Sequence, residues 1–168
     1  MENTDEYDIS HQEDGIRRMR GRMTLGIGAL EIGASRTLVV RVDGTNMATI
    51  YDDRLLEVFA TPQMIAFMEL SASSLLEDYM EEGQASVGAG VDIRHTSATP
   101  EGMDVTITAT VTGIDRRRVD FAVEARDACG QVGSGVHTRF IVDREAFMKK
   151  TMEKTKEKTQ DLMMEQKV

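Results

Sequence analysis

The chain has 168 residues, 40% of them hydrophobic, with 20 basic against 29 acidic side chains and a formal charge of −9. That is one domain with tails, and an acidity that argues against a general nucleic-acid binder, which needs a basic face to neutralise phosphates. The single Cys129 excludes an internal disulfide and fits a reducing compartment. No run approaches the ~18 apolar residues of a membrane span, and the acidic opening MENTDEYDIS lacks the apolar segment of a signal peptide. The expectation is a cytoplasmic protein with neither nucleic acid nor membrane as partner.

Residues 1–23 read as a flexible polar tail, six acids followed by Arg17, Arg18, Arg20 and Arg22, for which solvation is the plainest account. The segment 24–143 carries the folded pattern. Its opening TLGIGALEIG suggests a dinucleotide-binding glycine loop but holds Glu31 where the third glycine is needed, and no helix follows. Arg36 to Val42 is a β-branched strand ended by Asp43-Gly44, with a short second piece at Met47 to Ile50 and an irregular charged loop from Tyr51 to Val58.

Phe59 to Tyr79 then supplies the organising helix. Thr61-Pro62 reads as its start, a hydroxyl at the cap and a proline at the first helical position, and Glu81-Glu82-Gly83 as its end. Met64 to Met68 is apolar on almost every face, as in a buried helix, and Glu69 stands in the middle of it. A carboxylate in such a run is costly unless it is paired or functional. Four strand segments follow at hairpin spacing: Ala85 to Thr96, Asp104 to Ile114, Arg118 to Arg126 and Val132 to Val142. Consecutive antiparallel strands with one apolar face need a cover, and the helix is the only one available. The fold class is therefore α+β, one long helix wrapped by an antiparallel sheet. Residues 144–168 form a charged helix whose apolar stripe is broken by Thr155 and Thr159, too weak for a coiled coil.

The candidates for chemistry are Thr61, Glu69 and His95, with Gly88, His137 and Arg139 near them in the pattern. Alternation sets His95 on the face of Val91 and Ile93; an inward histidine is more often a core residue, but beside a buried acid and a hydroxyl it completes a set that activates water or holds an acyl group. No H-x-x-x-H or C-x-x-C occurs, so no metal site is expected, and no G-x-S-x-G marks a serine nucleophile. Cys129 and the arginines 116–118 read as exposed hairpin turns.

Three separated segments resemble hotdog-fold acyl-CoA thioesterases, in the branch that includes fluoroacetyl-CoA thioesterase. They are Val58-Phe59-Ala60-Thr61 to Met68-Glu69, Ser86-Val87-Gly88 to His95-Thr96 with Ala98-Thr99-Pro100, and Gly133-Ser134-Gly135-Val136-His137-Thr138-Arg139. The likeness spans roughly Ser35 to Val142. It implies a hotdog fold, hydrolysis of an acyl-CoA substrate without a cofactor, and a homodimer. It also implies a catalytic Thr61, Glu69 and His95, with Gly88, His95 and Arg139 contacting substrate. The fluoroacetyl-specific members carry lid phenylalanines just before the threonine; here Tyr51 to Leu56 has none, which implies a less tightly sealed acyl pocket. A non-catalytic acyl-CoA-binding module is the alternative reading.

Spacing adds an independent point. Thr61 and Glu69 are eight residues apart, about 12 Å along one helix at ~1.5 Å per residue. A single thioester served by both implies an elongated site or a second subunit.

Overall fold

The computed structural model describes residues 24–165; the arginine-rich stretch and His11 lie outside the described residues. The elements run β1 (Ser35–Arg41), α1 (Thr61–Glu77), β2 (Gln84–His95), β3 (Asp104–Asp115), β4 (Arg118–Asp127), β5 (Gly130–Asp143) and α2 (Arg144–Glu165), with short 3₁₀ turns at Ile27–Ala29 and Ala48–Ile50. The five strands form one antiparallel sheet in the order β1-β3-β4-β5-β2. The α+β class is as expected: α1 packs on the sheet, touching β1, β3, β2 and β4.

Alternation explains why one face of the sheet holds the helix. Along β3, Val105, Ile107, Ala109 and Val111 are buried, while Thr106, Thr108 and Thr110 face away; β4 does the same with Val119, Phe121, Val123 and Ala125. These side chains meet Met64, Met68, Ala72, Leu75 and Leu76 of α1 in one core. Each large side chain buried there stabilises the fold by about 1.5–3 kcal/mol.

Several expectations about α1 are corrected. Thr61 is the first helical residue rather than the cap; Ala60 occupies the cap position without a side-chain bond. The helix ends at Glu77, where the Asp78 N–H reaches the carbonyls of Leu75 and Leu76, and Gly83, at φ 85°, serves the turn into β2. Nor is α1 buried all round. The sheet covers one stripe, leaving Leu70 40% exposed.

The strand order also departs from consecutive pairing. β2 pairs with β5 and β1 with β3, because the 96–103 connection crosses the start of α1. There the Phe59 N–H donates to the Thr99 carbonyl at 2.8 Å, and the Gly102 N–H to that of Val42. This leaves β2 as a 12-residue edge strand, with Gly88 to Asp92 exposed in its middle and a register shift between Gly88 and Gly90. Met47, expected in a strand, makes only an isolated bridge to Phe59. No helix among the described residues is long and apolar enough to cross a membrane.

Candidate active site

The sequence-expected residues fall into two clusters along α1 and β2. The first lies where the helix starts and β2 ends. Thr61 Oγ1 sits 2.8 Å from His95 Nδ1, beside a cavity of about 360 Å³ lined by Val58, Phe59, Ala60, Thr61, His95 and Ala98. Local structure fixes both partners. Asn46, buried, accepts the Ala60 N–H on its carbonyl at 3.0 Å and donates its side-chain amide to the Arg41 carbonyl at 2.8 Å. Thr99, also buried, donates its hydroxyl to Asp127 Oδ2 at 2.8 Å while its carbonyl holds Phe59. On the strand side, the Thr96 N–H donates to the Val132 carbonyl at 2.8 Å. His95 Nε2 is buried and has no hydrogen-bond partner among the described residues, an unsatisfied polar atom of a kind that native folds seldom leave without a role.

The second cluster lies midway along the helix. Arg139 is 7% exposed, and its guanidinium is held from three sides. Nε donates to Ser86 Oγ at 3.0 Å, Nη2 to the Ser86 carbonyl at 3.1 Å and Nη1 to His137 Nε2 at 3.2 Å. Nη1 also lies 3.7 Å from Glu69 Oε2, and the Glu69 side chain is 40% exposed, a correction to the expectation of a buried acid. The uncovered side of α1 is the reason. Gly88 completes the cluster, because a Cβ there would stand 3.2 Å and 3.5 Å from the two carboxylate oxygens and 3.4 Å from His137 Cε1. Glycine keeps the carboxylate uncovered.

Burial pushes the His137 imidazole below its ordinary value, against the pull of the Gly90 carbonyl and the Glu69 charge. Burial likewise lowers Arg139, opposed by the carboxylates of Glu69 and Glu77. A buried guanidinium with only neutral hydrogen-bond acceptors needs a counter-charge, and Glu69 is the carboxylate beside it.

The structure thus joins Thr61 with His95, and Glu69 with Gly88, Arg139 and His137, but leaves the two groups apart along the helix. Sequence reading missed the part played by Ser86. Its signal was the register: Ser86 and Gly88 share a face of β2, and Gly88 pairs with Arg139. Arg116, 90% exposed, pairs with Asp115 on the β3–β4 hairpin and Arg118 with Asp120. Cys129 is exposed in the β4–β5 turn. Among the described residues no cluster of three His, Cys, Asp or Glu side chains could hold a metal ion.

Comparison with known proteins gives this arrangement its setting. Residues 42–145 match the family model of fluoroacetyl-CoA-specific thioesterases. The fluoroacetyl-CoA thioesterase of Streptantibioticus cattleyicolor is 38% identical over 99 residues, which span 59% of this chain and 71% of that protein. A solved structure of fluoroacetyl-CoA thioesterase superposes with a TM-score of 0.71 at 31% identity, covering 74% of this chain and 97% of the other. A hot-dog-like protein from Thermanaerovibrio acidaminovorans aligns with a TM-score of 0.70 at 27% identity, covering 74% and 93% of the two chains. The fold is accordingly a hotdog, and the chain belongs to the fluoroacetyl-CoA-specific thioesterase family, a family of acyl-CoA thioesterases.

Proposed function

We propose that this protein hydrolyses an acyl-CoA thioester to the free acid and CoA at a site built from two copies of the chain. The observation that carries the composite site is the separation of the two clusters on an unpaired edge strand. A 12-residue strand with its middle exposed, Val91 at 42%, is a template for pairing with another chain. Antiparallel pairing of β2 with its own copy about a two-fold axis near Val91 and Asp92 sets Gly88 opposite His95 of the partner subunit. The Glu69 carboxylate then faces the Thr61–His95 end of the other copy, and each of the two sites draws on both chains.

In this reading Glu69 either attacks the thioester carbonyl, forming an anhydride that water then hydrolyses to the free acid, or takes a proton from the attacking water, its negative charge balanced by Arg139. His95, whose Nδ1 is tied to Thr61, serves as acid and base through its free Nε2, handing a proton to the departing CoA sulfur. Thr61 fixes the imidazole's orientation. The oxyanion is met by backbone N–H groups, either in the first turn of α1, where they lack helical partners, or near Gly88 where the β2 ladder leaves one unpaired. Arg139 and Gly88 border the acyl end of the site. The loop before Thr61 supports an acyl preference wider than fluoroacetyl. Tyr51, Leu55 and Leu56 are exposed there, the Tyr51 hydroxyl taking only a 3.3 Å bond from the Gln63 amide, so none of these three side chains is packed down as a lid.

Release of free CoA thiol from a panel of short to long acyl-CoAs tests the reading, with Glu69→Gln and His95→Ala alongside. Turnover by the wild type that collapses in both folded variants is expected. Tight acyl-CoA binding without turnover across the panel would replace it with a binding module.

A further inference from the structure

Taking Glu69 as the group that acts on the thioester, we propose that His137 is a positioning residue: its Nε2 lone pair restrains the Arg139 guanidinium, so that Glu69 is charge-paired yet keeps its oxygens free. The inference rests on the thioesterase reading only for its consequence in catalysis; the geometry is independent of it.

His137 is 1% exposed, and both of its nitrogens are engaged. Nδ1 is 2.9 Å from the Gly90 carbonyl, which only accepts, so Nδ1 carries the proton. Nε2 is 3.2 Å from Arg139 Nη1, which only donates, so Nε2 is the lone pair. Two different partners therefore impose one tautomer, the neutral Nδ1–H form. The ring is stacked on Phe121 with centroids 6.3 Å apart, and Gly88 leaves room for it on the side of Glu69. Nothing about this imidazole points to substrate; it is sealed in the core, and its free valence is spent on Arg139.

The consequence lies at Nη1. An arginine facing a carboxylate closes to a charge-assisted hydrogen bond of about 2.8 Å, often bidentate. Here Nη1 stands 3.7 Å from Glu69 Oε2, while the nearer acceptor is His137, and the remaining edges of the guanidinium are taken by Ser86. Glu69 accepts no hydrogen bond from any described residue. A nucleophile or base must have an oxygen to offer, and a directly bonded Arg139 would occupy it.

Three substitutions separate the parts of this role. His137→Gln can set Oε1 where Nε2 was and keep the acceptor. His137→Asn can keep a donor toward the Gly90 carbonyl but not the acceptor for Arg139. His137→Phe keeps the ring on Phe121 and neither polar contact. The expected result is kcat near that of wild type for Gln, with a loss of about 10- to 100-fold for Asn and Phe, the scale of misplacing a reacting group by up to about 1 Å, at little-changed KM. Should the Phe variant not fold, the Gln–Asn contrast decides alone. Equal kcat in Gln and Asn, whether both are high or both low, overturns the proposal.

A crystal structure of the Asn variant gives the second readout. Arg139 closed onto Glu69 at about 2.8 Å is expected, and an unmoved guanidinium overturns the proposal. Because this readout needs no turnover, a wild type that releases no CoA would defeat the thioesterase reading and leave the positioning claim to be judged on geometry.

Discussion

Gly88→Ala isolates the carboxylate at the least cost to the fold. The added methyl would stand 3.2 Å from Glu69 Oε2, 3.5 Å from Oε1 and 3.4 Å from His137 Cε1. The tightest of these contacts falls on the end of a flexible, 40% exposed side chain, so the fold can yield by moving Glu69 a few tenths of an ångström. Gly88 has no left-handed backbone angle, and replacing a strand glycine with alanine stabilises by about 0.4–1 kcal/mol through the unfolded chain. The small overlap offsets this, and Tm is expected to stay within a few degrees of wild type. Catalysis is less forgiving. A misplacement of 1 Å costs about 10²-fold, so a shift of a few tenths under a covering methyl predicts a loss of roughly 10-fold in kcat.

The assay is CoA thiol release beside thermal unfolding, with Gly90→Ala as the control. At Gly90 the new methyl meets only Thr138 Cβ at 3.9 Å, an ordinary contact, and near-wild-type kcat is expected. Unchanged kcat in Gly88→Ala, or an equal loss in Gly90→Ala, would refute the reasoning.

Thr61→Val removes the hydroxyl that meets His95 Nδ1 at 2.8 Å and is expected to lower kcat by about 10²-fold while leaving the unfolding midpoint close to wild type; a folded variant with full turnover would contradict the role of Thr61. Gly135→Ala would put a methyl 2.0 Å from the Asp92 carbonyl oxygen, forcing β2 from β5, and is expected to yield little folded protein by circular dichroism. Thr99→Val strips the buried donor from Asp127 Oδ2 and should cost about 1–2 kcal/mol at neutral pH in urea unfolding. That cost depends on pH. The Thr99 hydroxyl is the first cause holding the Asp127 carboxyl below its ordinary 3.8, ahead of the Cys129 and Gly130 N–H groups. A depressed carboxyl stabilises above its unfolded value and loses that contribution as pH falls through the folded one. The gap between wild type and Thr99→Val should therefore narrow below about pH 4, and a constant gap would contradict the assignment.

How much of this was legible in the sequence depends on the range of the interaction. The start of α1 was, because Thr61-Pro62 acts locally, and so was the inner face of β3, where Val105, Ile107, Ala109 and Val111 alternate with threonines. Thr61 was legible as a candidate for chemistry, but its pairing with His95 was not. A threonine before proline looks like a cap, and only the return of β2 brings His95 to it. Glu69 was legible as an anomaly but misread as buried, because an apolar run does not tell how many of its faces find a cover. The partners of Arg139 were hidden for another reason. Ser86 shares a face with Gly88, which lies opposite Arg139, but only the pairing of β2 with β5, two strands distant in sequence, brings them together. Strand order was beyond local reading as well, since the 96–103 connection spans the helix start instead of turning a hairpin.

Subunit complementation tests the composite thioester site most directly. Glu69→Gln and His95→Ala proteins, each inactive alone, are unfolded, mixed in equal amounts, refolded together and assayed for CoA release. With Glu69 and His95 of one site on different chains, half the dimers are mixed and each holds one intact site, so about a quarter of wild-type activity returns. Activity no greater than that of the two parents would mean that both groups serve from one chain, or that they do not share a site at all.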